Sequence, residues 1–111
     1  PLFDIENILD KNKINIAINI HSFTECTYSV IKWWLELVRK NNIKYLFIIP
    51  NPNPENKLLS VEENGERVDF EPLIDSFGYK LKIRKPKFDE CTLQETFHHL
   101  PVYYYLFELN D

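Results

Sequence analysis

The chain has 111 residues, of which 44% are hydrophobic and 14% are aromatic, and its formal net charge is −4. This length suffices for one domain with a single core, here expected over residues 1–111, and the acidic balance gives no reason to expect nucleic-acid binding. No apolar run approaches the roughly 18 residues of a membrane-spanning helix, and two cysteines do not make a disulfide framework, so we expect a cytoplasmic protein without membrane contact. The sequence contains no methionine and begins with Pro1, so we expect a processed chain or a piece of a longer one.

The first elements are predicted to be a strand and a helix. A short helical segment near Asp4–Leu9 precedes a strand over Ile14–Ile20, in which isoleucine alternates with smaller or polar residues in the period of two that is typical of a pleated strand. Ser22 stands three residues before Glu25, which is the spacing of a capping box and predicts that the helix begins here. The helix carries one apolar stripe, formed by Val30, Ile31, Trp34, Leu37 and Val38.

The middle of the chain is predicted to form a second strand and a hairpin. Tyr45–Ile49 is a continuous apolar run, as expected of a strand that is covered on both faces. The helix before it is long enough to be a crossover, so the two strands should be parallel and their connection right-handed. The prolines of Asn51–Pro54 prevent the strand from continuing, and Leu58–Phe70 is expected to form a hairpin about Asn64-Gly65.

The last elements are a short helix and two late strands. A proline in its first turn suits a helix over Glu71–Phe77, which Gly78 would end. Tyr79–Arg84 alternates apolar and basic residues, which is typical of a protected sheet edge. A helical turn near Gln94–His98 leads to an apolar, aromatic strand, Val102–Leu109, for which we predict an interior position. The fold class is therefore α/β, with two parallel strands, a crossover helix and a late strand pair that is most simply antiparallel.

Several segments between Ile14 and Leu109 carry a family resemblance, and the His-Ser-Phe-x-Glu element that begins at His21 is the most specific of them. The segments are Asn19–Thr27, Trp33-Trp34, Tyr45–Asn51, Phe70–Leu73, Gly78-Tyr79 and Tyr105–Leu109. Together they make the chain similar to the carboxy-terminal half of a family of sugar O-methyltransferases, which belong to the class I enzymes that use S-adenosylmethionine.

The resemblance implies a partial doubly wound, Rossmann-like methyltransferase sheet. This chain would supply the fourth to seventh strands of that sheet, side by side in the order four, five, seven, six, with the seventh antiparallel. The family's amino-terminal half carries the glycine-rich turn and the acidic residue that bind the cofactor, and neither is present here. The parent protein is therefore expected to use S-adenosylmethionine, and this piece alone to be inactive. One edge of the strand Ile14–Ile20 would be open, which predicts a homodimer through that edge.

Candidate site residues follow from the rule that ligands bind beyond the carboxyl ends of parallel strands. His21 is the candidate general base for a saccharide hydroxyl; alternatively, it packs just before the helix cap. Glu25 would orient the base or bind a sugar hydroxyl, although the capping box explains it equally well. The resemblance places His21, Ser22 and Phe23 beside the cofactor, but Ser22 is also the candidate helix cap.

Three further residues are candidates for substrate binding. Asn51 and Asn53 follow the buried strand and could hydrogen-bond a sugar, whereas turn chemistry is the alternative. Trp33 could stack on a sugar ring, although a tryptophan in a helical stripe usually belongs to the core or its margin. The cysteines and histidines lack a recognisable zinc spacing, so no metal is expected. Two hypotheses result: part of a methyltransferase that acts on a saccharide hydroxyl, or a free-standing α/β protein-interaction module without a cofactor.

Overall fold

The computed structural model describes residues 14–86 and 102–110. Within this part of the chain, four strands form one open sheet in the order β1-β2-β4-β3. The strands are β1 (Ile16–Ile20), β2 (Tyr45–Ile49), β3 (Tyr79–Pro86) and β4 (Tyr103–Leu109). β1 and β2 are parallel, whereas β4 is antiparallel to both of its neighbours. The mixed α/β class, the parallel pair, the antiparallel late pair, the interior last strand and the edge position of β3 are confirmed. The helical segments predicted at Asp4–Leu9 and Gln94–His98 lie outside the described residues.

The crossover helix α1 (Tyr28–Lys40) begins later than the capping-box prediction placed it. Ser22 has helical backbone angles and leads into a separate 3₁₀ turn, Phe23–Glu25, without a side-chain cap. An N-cap residue instead needs extended backbone, which Thr27 provides with φ −72° and ψ 159°. The Thr27 hydroxyl accepts a hydrogen bond from the Val30 amide, at 3.4 Å. The prediction of a cap at Ser22 with Glu25 was therefore wrong.

A carboxylate that is distant in sequence binds a free backbone amide at the start of α1. Glu62 Oε2 accepts a hydrogen bond from the Tyr28 amide at 2.9 Å, and it also accepts one from the Ser60 hydroxyl. Negative charge near a helix N-terminus is favourable because of the free amides there. The segment around Asn64-Gly65 thus anchors α1. Its two arms are joined by backbone hydrogen bonds as in the predicted hairpin, from Ser60 to Val68, from Glu62 to Glu66 and from Phe70 to Leu58, although they form the isolated bridge Leu59–Asp69 rather than two extended strands.

The core lies on one face of the sheet. Because side chains alternate along a strand, the register places Leu46 and Ile48 of β2 on the same face as Phe107 and Tyr105 of β4. These four side chains are at most 1% exposed. Helix α1 packs onto this face through three fully or largely buried residues, Ile31, Leu35 and Val38.

The second helix, α2 (Glu71–Ser76), has Pro72 in its first turn and ends shortly before Gly78, as predicted apart from its last residue. Gly78 adopts φ +91°, a left-handed conformation that glycine tolerates best. None of the helices in the described residues combines the length and the apolar character needed to cross a membrane.

The opposite face of the sheet carries the isoleucines of β1. Ile16, Ile18 and Ile20 are 45%, 61% and 56% exposed, because Ala17 and Asn19 occupy the face toward α1. Exposure also continues along β3, where a register shift between Leu81 and Ile83 interrupts the alternation and leaves both side chains more than a third exposed. The expected single wet face of β3 is therefore found only in part.

Candidate functional site

The carboxyl ends of β1 and β2 lie side by side. Ile20 pairs with Ile49, and the His21 amide donates a hydrogen bond to the Ile49 carbonyl at 2.7 Å. Because β4 is antiparallel, its first residues lie at this same end, where Tyr105 pairs with both Ile48 and Arg84. We call this region the strand-end surface; it consists of His21, Thr24, Asn51, Asn56, Arg84, Tyr103 and Tyr105.

His21 occupies an unusual backbone conformation at the end of β1. Its φ is +66°, in the left-handed region that non-glycine residues seldom adopt. Its backbone is fixed on both sides, since the amide binds Ile49 and the carbonyl accepts the Thr24 hydroxyl at 2.8 Å. The imidazole is exposed, and no described residue hydrogen-bonds to it. The ring is therefore accessible to solvent.

Thr24 joins the two strand ends. Its side chain is 2% exposed, donates to the His21 carbonyl, and accepts a hydrogen bond from the Asn51 amide at 3.1 Å. The amide side chain of Asn51 lies 3.5 Å from the same carbonyl, at the limit of a hydrogen bond. Thr24 thus holds His21 and Asn51 together across 27 positions of sequence. Sequence patterns give no signal for this role, because a threonine in a turn is ordinary.

The other residues of the His-Ser-Phe-x-Glu element have different environments. The Ser22 hydroxyl is exposed and accepts a hydrogen bond from Asn19 Nδ2 at 2.6 Å. Phe23 is 6% exposed and packs edge-to-face on Phe70, with ring centroids 6.1 Å apart, so its side chain belongs to the core. Glu25 is exposed on the 3₁₀ turn and hydrogen-bonds through its backbone to Ser22.

The three predicted substrate residues are not brought together. Asn53 is 2% exposed and its amide closes the loop, accepting from the Lys57 amide at 3.0 Å and donating to the Lys57 carbonyl at 2.7 Å. These contacts are the turn chemistry of the alternative interpretation. Trp33 lies on the surface of α1, 40% exposed, beside Val30. Only Asn51 remains close to His21.

A basic and aromatic cluster at the strand-end surface was missed by sequence reasoning. The Arg84 guanidinium lies 4.2 Å from the centre of the Tyr103 ring. Its Nε donates to the Tyr105 hydroxyl and its Nη2 to the Asn56 carbonyl, both at 3.2 Å. The Tyr105 hydroxyl donates to that carbonyl as well, at 3.0 Å. Arg84 was interpreted as one of several solvated edge cations, because its partners lie 21 and 28 positions away.

Three titratable groups among the described residues have shifted pKa values. The hydrogen bond that Arg84 donates to the Tyr105 hydroxyl raises the pKa of Arg84, which stays charged. Burial, and then the charge of Asp69, raise the pKa of Glu71. Burial, followed by the charge of Glu25, raises the pKa of the Cys26 thiol, which disfavours a reactive thiolate. Among the described residues, no group of histidine, cysteine and acidic side chains is arranged to hold a metal ion.

The residues that the structure describes do not form a site for S-adenosylmethionine. Gly65 lies in the turn after Glu62, and Gly78 lies between α2 and the start of β3, so neither lies at the carboxyl ends of β1 and β2. The concavity beside Asn51 and Tyr105 has a volume of only about 10 Å³, which admits no more than a water molecule. Among the described residues, the strand-end surface is therefore open and encloses neither a nucleoside nor a sugar.

Comparisons of the chain with models of known protein families, with curated proteins and with solved structures find no match.

Proposed function

We propose that the chain is the acceptor-side portion of a larger S-adenosylmethionine-dependent O-methyltransferase that acts on a saccharide hydroxyl, and that it is inactive alone. The observation that carries the proposal is the strand order β1-β2-β4-β3, with β4 as an antiparallel strand between two neighbours of the opposite direction. This order agrees with the order four, five, seven, six that the resemblance implies for a partial doubly wound sheet. The exposed imidazole of His21 at the end of β1 is a second support.

The chemistry assigned to this chain is proton removal. A hydroxyl becomes a better nucleophile as it loses its proton, and a positioned histidine typically contributes 10²–10⁴-fold to such a step. A ring nitrogen of His21 would accept the proton from the acceptor hydroxyl. The fixed backbone on both sides of His21 would hold the imidazole in place, and Asn51 would offer its amide to a neighbouring sugar oxygen. The cofactor site belongs to the remainder of the protein, because the residues described here do not form it.

The test uses the chain joined to the coding sequence upstream of it. Binding of S-adenosylmethionine is measured by titration calorimetry, and transfer of a tritiated methyl group is measured on a panel of monosaccharides and nucleotide sugars. The longer protein is expected to bind the cofactor and to label a saccharide. If it does not bind S-adenosylmethionine, the proposal is wrong.

A separate variant tests the role of His21. His21→Ala in the active protein is expected to lower kcat by at least about 10²-fold, with cofactor affinity unchanged. Ser22→Ala, the neighbouring exposed position, is the matched control and should retain its turnover. A His21→Ala enzyme with near-wild-type kcat would refute the base assignment while leaving the methyltransferase proposal in place.

The free-standing interaction module remains the second candidate. It is favoured by the exposed isoleucines of β1, which are unusual on the surface of an isolated domain when they are contiguous. The two candidates differ in the upstream coding sequence, where the methyltransferase requires a strand that is followed by a glycine-rich turn.

A further inference from the structure

Arg84 is held in one position at the strand-end surface by contacts with three other residues. Its guanidinium lies 4.2 Å from the centre of the Tyr103 ring, and it donates hydrogen bonds at 3.2 Å to the Tyr105 hydroxyl and to the Asn56 carbonyl. A free arginine side chain loses rotamer freedom when it binds a ligand, and this loss weakens binding. These contacts have already removed much of that freedom, so Arg84 is preorganised for a ligand.

The guanidinium still has hydrogen-bond donors to offer. It carries five N–H groups, and the contacts above use Nε and one hydrogen of Nη2. Among the described residues, Nη1 has no hydrogen-bond partner and no carboxylate forms an ion pair with Arg84. Glu71 acts on Arg84 through its charge without forming such a pair. Because the Arg84 side chain is exposed, its remaining donors are accessible to an anion.

One loop, residues 51–56, connects Arg84 with His21. At the start of the loop, the side-chain nitrogen of Asn51 lies 3.5 Å from the His21 carbonyl. At its end, the Asn56 carbonyl accepts the hydrogen bond from Arg84. The imidazole and the guanidinium therefore border the same open surface, on either side of this loop.

Sheet geometry gives the scale of their separation. The guanidinium lies against two side chains of β4, and only β2 stands between β4 and β1. Neighbouring strands lie about 4.8 Å apart, so β4 lies about 10 Å from the strand that ends at His21. A carboxylate on a sugar ring lies close to the hydroxyls of that ring, whereas a phosphate ester adds its own length outside the ring. The separation therefore favours a phosphate as the anion.

A second cation near Arg84 also favours phosphate. Lys57 is exposed and borders the small concavity that Tyr103 and Tyr105 line, whereas Glu55 of the same loop does not line it. A phosphate monoester carries a charge of about −1.5 to −2 at pH 7 and has three acceptor oxygens. Two cations therefore match the charge of a phosphate better than the single charge of a carboxylate.

We propose that Arg84 binds the phosphate group of the acceptor, so that the methylated saccharide is a sugar phosphate or a nucleotide sugar with its acceptor hydroxyl at His21. This inference rests on the proposed function for the reaction, but binding of the phosphate by Arg84 is measurable without methyl transfer. Nη1 and Nη2 would donate to two phosphate oxygens in the bidentate geometry that is typical of arginine. Lys57 would neutralise part of the remaining charge.

Titration calorimetry on the longer protein, without S-adenosylmethionine, tests the choice of ligand. The probes are hexose 1-phosphates, nucleotide-linked hexoses, the free hexoses, glucuronate and inorganic phosphate. At least one phosphorylated sugar is expected to bind at least about tenfold more tightly than its free hexose and than glucuronate. The comparison of hexose 1-phosphates with nucleotide-linked hexoses distinguishes the two sources of the phosphate. Inorganic phosphate that binds as tightly as every phosphorylated sugar would overturn the proposal, because the sugar would then add nothing.

Variants of β3 test the role of Arg84. Arg84→Gln is expected to weaken binding of the phosphorylated sugar at least about tenfold, because it removes charge-assisted hydrogen bonds. Arg84→Lys keeps the charge without the planar fork and should have an intermediate affinity. Lys82→Gln is the matched control, since it removes a cation of the same strand that lies 3.9 Å from Glu108, and it should bind like wild type. A folded Arg84→Gln protein with wild-type affinity would overturn the proposal.

Two further measurements complete the test. In the wild-type protein, the ¹⁵N resonances of the Arg84 side chain should shift on saturation with the phosphorylated sugar, and unchanged resonances would overturn the proposal whether or not the variants fold. In protein that methylates this sugar, Arg84→Gln should raise KM with kcat little changed, as expected when binding remote from the reacting atoms is removed. Methylation of neutral saccharides alone, with an Arg84→Gln KM like wild type, would overturn this inference and leave the proposed function in place. If the longer protein does not bind S-adenosylmethionine, the proposed function fails, and the titrations still decide whether Arg84 binds phosphate.

Discussion

Replacing Thr24 with valine should destabilise the protein by removing the hydroxyl that joins the ends of β1 and β2. Valine has nearly the same shape as threonine, so the change isolates the hydrogen bonds. The Asn51 amide would lose its acceptor, and the His21 carbonyl would keep only the long 3.5 Å contact with the Asn51 side chain. A buried polar group without a partner costs about 1–3 kcal/mol, so we expect a loss of about 2–3 kcal/mol in the free energy of unfolding.

Urea unfolding at one fixed protein concentration measures this loss. With a typical slope of about 1.5 kcal/mol/M, the urea midpoint should fall by about 1.3–2 M. Thr24→Ser is the control, because it keeps the hydroxyl and removes one methyl group from a site that is 2% exposed, which costs about 1 kcal/mol. Two results would refute the reasoning: a Thr24→Val variant whose free energy of unfolding lies within about 0.5 kcal/mol of wild type, or a Thr24→Ser variant that is no more stable than Thr24→Val.

Three further predictions concern stability. Glu71 has a raised pKa in the folded state, so its contribution to the stability of the fold is fully present below the ordinary value of 4.5 and is lost as pH rises through the folded pKa. In thermal unfolding, Glu71→Gln should therefore become more stable relative to wild type as pH rises from 4 to 7. A difference in stability between the two proteins that stays constant over this range would contradict the prediction. Gly65→Ala and Gly78→Ala should each lower the free energy of unfolding by roughly 1–2 kcal/mol, because both positions have positive φ, which strains alanine, while the new Cβ has room at both; urea unfolding would refute this if either variant were as stable as wild type. Arg84→Lys should lower the free energy of unfolding by up to about 1 kcal/mol, because lysine lacks the planar guanidinium. In a Tyr105→Phe background this loss should be smaller, and an undiminished loss would argue against the hydrogen bond between Arg84 and Tyr105.

The sequence predicted the elements whose signal is local. Tyr45–Ile49 is the observed β2 to the residue, since an unbroken apolar run marks a strand covered on both faces. The period of two in β1 identified a strand, but periodicity cannot tell which of two faces a helix covers. The isoleucines therefore lie outward, while Ala17 and Asn19 face α1.

The features that were missed depend on contacts between distant residues. The start of α1 is set by Thr27 together with Glu62, a carboxylate 34 positions from the amide that it binds. For this reason a local motif at Ser22 was misleading. At the strand-end surface, His21 and Asn51 could be placed from the strand-end rule, whereas Thr24 and Arg84 acquire their roles only from partners across the sheet.

The edge strand β3 limits how large an assembly can become. If both edges accepted strands, copies could add one after another, and the result would be a fibre without a defined length. Addition at β3 is blocked, since Pro86 has no amide hydrogen and the register shift distorts the ladder. Strand addition is therefore disfavoured at the β3 edge, so that an open-ended fibre built through both edges of this sheet is not expected.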